Sequence, residues 1–108
     1  MYESDKKIKK LFIKFISWNK IEKTKKLIEQ NLHIIMPWQK AFEETFKNRY
    51  IITLLWILEQ QNIYNFTINI HFNNNELFMI LENDIFYTQD KKNNFLEKII
   101  KLSSVNVI

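Results

Sequence analysis

Glycine and cysteine are both absent from this 108-residue chain, and proline, alanine and arginine occur once each, as Pro37, Ala41 and Arg49. Without cysteine there is no disulfide framework, no zinc knuckle and no thiol nucleophile, a composition compatible with a reducing compartment. Without glycine, neither a phosphate-cradling loop nor a dinucleotide-binding turn can be built. Both bring backbone against phosphate in conformations that only glycine adopts cheaply. Long apolar runs are missing as well: the best, residues 51–58, makes about two helical turns, against the roughly 20 residues that span a bilayer. The first residues carry Glu3 and Asp5 among their charges, and Lys14 interrupts the apolar residues that follow, so this start is read as mature rather than as a signal peptide.

What is present describes a protein that folds. Hydrophobic residues at 46% and charged residues at 26% are too apolar for intrinsic disorder, and the length suits a single domain over residues 1–108. Ile, Lys, Asn, Phe and Tyr supply 59 of the residues, a skew expected of a very AT-rich genome, so composition reports coding pressure before function. The net charge is +4 and uneven: residues 1–26 hold nine lysines against Glu3, Asp5 and Glu22. Read functionally, this is a basic arm for nucleic acid or acidic membrane; read structurally, lysine fills every solvated helix face.

Ile8, Leu11, Phe12, Phe15 and Ile16 recur at helical spacing and predict a first amphipathic helix. Asn19 is placed to cap a second helix, with Glu22 three residues on as in a capping box, ahead of Ile21, Thr24, Leu27 and Ile28. Residues 31–37 break the pattern, because Pro37 biases Met36 away from the α region. A third helix is expected from about Pro37 or Trp38, burying Ala41, Phe42, Thr45 and Phe46, and a fourth over residues 50–61.

The chain also repeats itself. Leu27-Ile28-Glu29-Gln30 returns thirty residues later as Ile57-Leu58-Glu59-Gln60, and at the same offset Phe12 meets Phe42, Ile16 meets Phe46, Ile21 meets Ile51 and Thr24 meets Leu54. A third unit is traced through Leu77-Phe78 and Ile99-Ile100, with an insertion around residues 86–92, giving units at about 8–32, 38–62 and 76–102. The run from Ala41-Phe42 through Arg49-Tyr50-Ile51 to Leu54-Leu55-Trp56-Ile57-Leu58-Glu59 resembles the helix-turn-helix unit of ankyrin repeats, in the divergent Asn- and Ile-rich form found in giant DNA viruses. Residues 65–78, with Ile68-Asn69-Ile70-His71 followed by asparagines and Glu76, look like the linker of such proteins. The resemblance implies an all-α fold of about three degenerate repeats.

Two departures matter. The usual Thr-Pro-Leu-His turn is missing, and where that family places a glycine between paired helices this chain has Asn19, Arg49 and Ile85. Asparagine tolerates a left-handed turn, whereas arginine and isoleucine are strained by it. The competing reading is α+β: four or five helices and a small antiparallel hairpin or meander at 66–88. It rests on the period-two alternation of residues 67–72, a turn at residues 73–75, a return strand at 77–81 and a third strand at 85–88.

Little in the inventory supports catalysis. His33 and His71 stand in connectors, and in repeats of this kind such a side chain is expected to hydrogen-bond the turn. Glu43 and Glu44, adjacent on a helix, point about 100° apart, a poor dyad. Ser103 and Ser104 have no base nearby in sequence. No enzyme activity, cofactor or metal is expected. The resemblance implies a non-enzymatic protein–protein interaction module, in a viral protein with a host or viral partner, located in the host cytoplasm with the nucleus as the alternative; no membrane is expected. A small basic nucleic-acid-binding protein and an α+β inhibitor that masks an enzyme are the alternatives. The partner-binding edge is expected at Trp18, Lys20, Trp38, Lys47, Arg49 and Tyr50, where aromatics at helix ends adjoin cations.

Overall fold

The computed structural model describes residues 2–83 and 88–104, and side chains for 4–83 and 88–102. Seven helices occupy them: α1 (Tyr2–Ser17), α2 (Ile21–Gln30), α3 (Trp38–Lys47), α4 (Ile51–Glu59), α5 (Gln61–Tyr64), α6 (Phe72–Asn83) and α7 (Gln89–Ser104). The fold is all-α, with no strand among the described residues. The chain divides into two compact units, Met1–Leu54 and Leu55–Ile108, with the boundary inside α4.

In the first unit α1 lies against both α2 and α3. Helical spacing selects the buried faces. On α1, Phe12 and Ile16 are fully buried while Leu11 is turned outward; on α3, Trp38, Ala41, Phe42, Thr45 and Phe46 form one continuous inner stripe. The buried hydroxyls of Thr24 and Thr45 donate to the carbonyls of Lys20 (2.8 Å) and Ala41 (2.7 Å), so neither is left unsatisfied.

The thirty-residue offset has a backbone counterpart. Asn19 and Arg49 both take left-handed conformations, with φ of 64° and 61°. Each ends its helix in the same way. The N–H of Lys20 donates to the Phe15 carbonyl (2.9 Å) and that of Asn19 to Ile16 (3.1 Å). Thirty residues on, Tyr50 donates to Thr45 (3.5 Å) and Arg49 to Phe46 (3.0 Å). This pair of back-reaching bonds satisfies carbonyls that a helix end would leave orphaned, and it needs a left-handed residue at its centre. The strain on Arg49 is offset by its own side chain: Nη1 donates to the Phe46 carbonyl (2.6 Å) and the guanidinium lies 4.6 Å from the Phe46 ring centroid. Asn65 (φ 56°) repeats the device after α5, where Phe66 N–H donates to the Gln61 carbonyl (3.1 Å). The third inter-helix position, Ile85, lies outside the described residues.

The capping expected of Asn19 does not form. At φ 64° the residue terminates α1 instead of preceding α2 in the extended conformation that a cap requires, and Lys20 takes the N-cap position without a side-chain cap bond. Glu22 is drawn instead to Lys25, 3.4 Å away. The Asn19 side chain accepts a hydrogen bond from the Thr53 hydroxyl, and Asn48 Nδ2 donates to the Ser17 carbonyl (2.6 Å). These two bonds tie the turn after α1 to the turn after α3 and the start of α4, over thirty residues apart in sequence.

The α+β alternative is corrected by the second unit. Residues 67–72 do alternate, with Ile68, Ile70 and Phe72 buried and Thr67, Asn69 and His71 exposed. That alternation belongs to a connector pressed onto apolar surface, and period two alone supplies no partner for a ladder. The connector in the first unit does the same with Ile34 and Met36 inward and Ile35 outward. The expected return strand at 77–81 is helical; of the expected third strand, 85–87 lie outside the described residues. The expected fourth helix over 50–61 is interrupted at Gln60, which separates α4 from α5.

Asn73, Asn74 and Asn75 are all left-handed, with φ of 49°, 58° and 66°, so the right-handed part of α6 runs over residues 76–83. A left-handed residue with a Cβ costs roughly 1–2 kcal/mol, less for asparagine. Asn74→Val, at an exposed position, is therefore expected to lower stability by about 1–2 kcal/mol, and Asn74→Gly to hold or raise it, as read from urea-unfolding midpoints.

Candidate binding groove

The helix-ending turn at Asn19 brings the end of α1 beside the start of α2. On α1 and just beyond it, Lys14 and Trp18 are four residues apart and share a face; Lys20 and Lys23 stand three apart at the start of α2. Together with Phe15 these residues line an open groove of about 420 Å³ with mostly apolar walls. Trp18 is 62% exposed, which is unusual for the largest apolar side chain. The Lys23 ammonium lies 5.8 Å from the Phe15 ring centroid, so one ring of the groove already carries a cation. No acidic side chain lines it among the described residues. The groove therefore combines an aromatic surface with three cations that their own walls do not neutralise.

Of the six residues expected to form a partner-binding edge, the structure brings two together here, Trp18 and Lys20. Trp38 is corrected: it is buried, 6% exposed, and packs edge-to-face on Phe12 with ring centroids 4.9 Å apart. Its place at the first position of α3, with Met36 buried beside it, sends the indole inward. Lys47 is exposed and pairs with Glu44 (3.2 Å), Arg49 is folded over Phe46, and Tyr50 is half-buried at the start of α4. Lys14, Phe15 and Lys23 were not singled out by sequence reasoning. The signal was available in the spacing of Lys14 and Trp18 and of Lys20 and Lys23, which places cations next to an aromatic on both sides of one turn.

Elsewhere the polar groups are engaged in local structure. His33 Nε2 lies 4.0 Å from an Asp5 carboxylate oxygen at the surface. His71 Nδ1 is 2.6 Å from Asn75 Oδ1, its ring stacks on Phe78 with centroids 5.3 Å apart, and its backbone N–H donates to Asn69 Oδ1 (2.9 Å). Glu43 accepts from Gln39 (2.9 Å) and Glu44 faces Lys47. The side chains of Ser103 and Ser104 lie outside the described residues. Among the described residues, no three His, Asp or Glu side chains are grouped to hold a metal ion, and no helix is long and apolar enough to cross a membrane. No family model, no curated protein and no solved structure matches the chain.

Proposed function

We propose that this chain is a non-enzymatic protein–protein interaction module that presents the α1–α2 groove to a protein partner. The single observation that carries the reading is the exposed indole of Trp18 within a groove whose charged walls are all lysine. A tryptophan exposed in the free chain and rimmed by polar groups is what a partner can bury as a binding hot spot, whereas a solvated face has no use for one. The thirty-residue spacing of the left-handed turns at Asn19 and Arg49 supports a helical-repeat scaffold. The divergent ankyrin-like, viral type, and with it a host or viral protein as partner in the host cytoplasm, rests on the resemblance of the sequence pattern alone, and the groove is what ties the scaffold to binding.

Affinity capture from nuclease-treated lysate of the source or infected cells tests the reading. A protein retained by the native chain and weakened by deletion of one hairpin unit, with helicity kept in far-UV circular dichroism, is the expected result. Retention of nothing once nucleic acid is digested would sink it. The second reading, a basic nucleic-acid-binding protein, is favoured by the nine lysines of residues 1–26. It requires binding to nonspecific duplex that weakens steeply with salt, and the absence of binding at low salt ends it.

A further inference from the structure

The composition of the groove says more than that it binds. Its floor is apolar and aromatic, its charged groups are Lys14, Lys20 and Lys23, and neither Lys14 nor Lys20 forms an ion pair among the described residues. An occupant that leaves these cations in place must bring negative charge, and one that covers the indole must bring an apolar group beside that charge. We propose that the groove binds a short acidic peptide segment bearing one aromatic or aliphatic anchor. The anchor lies on Trp18 and the edge of Phe15, and the flanking Asp and Glu carboxylates face Lys14, Lys20 and Lys23. This proposal rests on the protein-interaction reading and names the partner class for the same site.

A single-stranded nucleic acid offers the same two chemistries, so the choice depends on how many rings are free. Nonspecific strand binding gains from successive bases stacked on successive aromatics. Here Phe15 is half-buried, with the Lys23 ammonium 5.8 Å from its ring centroid, which leaves Trp18 as the one largely exposed ring in the groove. One platform suits one anchor.

The test titrates the 108-residue chain by calorimetry with three probes: a short peptide of Asp and Glu around a central Phe-Leu pair, the same peptide with Ser-Ser at the centre, and a short oligothymidylate. The variants are Trp18→Ala and the double variant Lys20→Glu, Lys23→Glu, all at exposed positions, with folding checked by circular dichroism. The anchored peptide should bind about tenfold or more tightly than its Ser-Ser counterpart, and Trp18→Ala should erase that difference. The charge-reversed double variant should lose binding of both peptides. Equal affinity for the two peptides, tighter binding of the oligothymidylate, or unchanged binding by either variant would overturn the proposal. If the anchored peptide fails while Trp18→Ala still captures the native partner from lysate, the groove assignment falls and the interaction-module reading stands. If capture also fails for the native chain, both fall.

Discussion

Replacing Trp38 by alanine is expected to lower the unfolding free energy by roughly 3–5 kcal/mol, the cost of removing a large buried aromatic. For a chain of this size that is a fall in melting temperature on the order of 15 °C or more. Two terms contribute. The indole is 6% exposed at the first position of α3, so its truncation opens a cavity where the helix begins. It also meets Phe12, itself fully buried, edge to face at 79°, an arrangement worth about 0.5–1.5 kcal/mol beyond area alone. Trp38→Phe keeps much of the volume and ring contact, and should recover most of the loss. Trp18→Ala is the contrasting measurement, because an exposed side chain outside the core, at a helix end whose closing bonds are made by backbone groups, changes stability by about 0.5 kcal/mol or less. Parallel thermal and urea unfolding of the three variants would separate the structural tryptophan from the binding one. A loss of several kcal/mol for Trp18→Ala would remove the groove from consideration as a surface.

How much of this was legible in the sequence follows from which interactions are local. The inner stripe of α3 was readable except at its first residue: Ala41, Phe42, Thr45 and Phe46 lie at helical spacing and the structure buries all four, together with Trp38, which was expected at an exposed edge. Asn19 and Arg49 stand where ankyrin-like repeats place a glycine, and both are left-handed, although the spacing of Asn19 to Glu22 reads equally as a cap of α2. Arg49 shows what the register alone could not: the hydrogen bond to Phe46 and the stacking on its ring that make an arginine acceptable there. The alternating residues 67–72 were readable as two faces, but not as strand or connector, because that depends on a hydrogen-bonding partner elsewhere in the chain. The groove was half legible. Trp18 and Lys20 were identified, yet an indole at a helix end reads alike whether it turns in, as Trp38 does, or out, as Trp18 does. Gln61 gave no signal at all, since polar burial is decided by distant partners.

Gln61 is where the second unit is most vulnerable to a single change. Its side chain is 2% exposed and all its amide functions are engaged. Nε2 donates to the carbonyls of Leu58 (2.9 Å) and Leu102 (3.3 Å), and Oε1 accepts from the backbone N–H of Ile68 (2.8 Å). One residue thereby joins the end of α4, the end of α7 and the connector that leads to Ile70 and Phe72. Gln61→Leu fills a similar volume but strands a buried N–H, at a cost of about 1–3 kcal/mol for that group alone. With the carbonyl partners also lost, roughly 2–4 kcal/mol is expected, as measured by urea unfolding. Gln61→Glu tests the same geometry by charge. At neutral pH the introduced carboxylate can still accept from Ile68 but faces two carbonyl oxygens in a buried site, so its folded pKa must rise above the ordinary value of about 4.3. Above that value the folded state then holds more protons than the unfolded one, and stability falls as pH rises. On acidification the protonated form regains an O–H that can donate to Leu58 or Leu102. The deficit of Gln61→Glu relative to the native chain should therefore shrink between about pH 7 and pH 4, while that of Gln61→Leu stays level. Equal, pH-independent deficits for the two variants would mean that the side chain fills space there without carrying these hydrogen bonds.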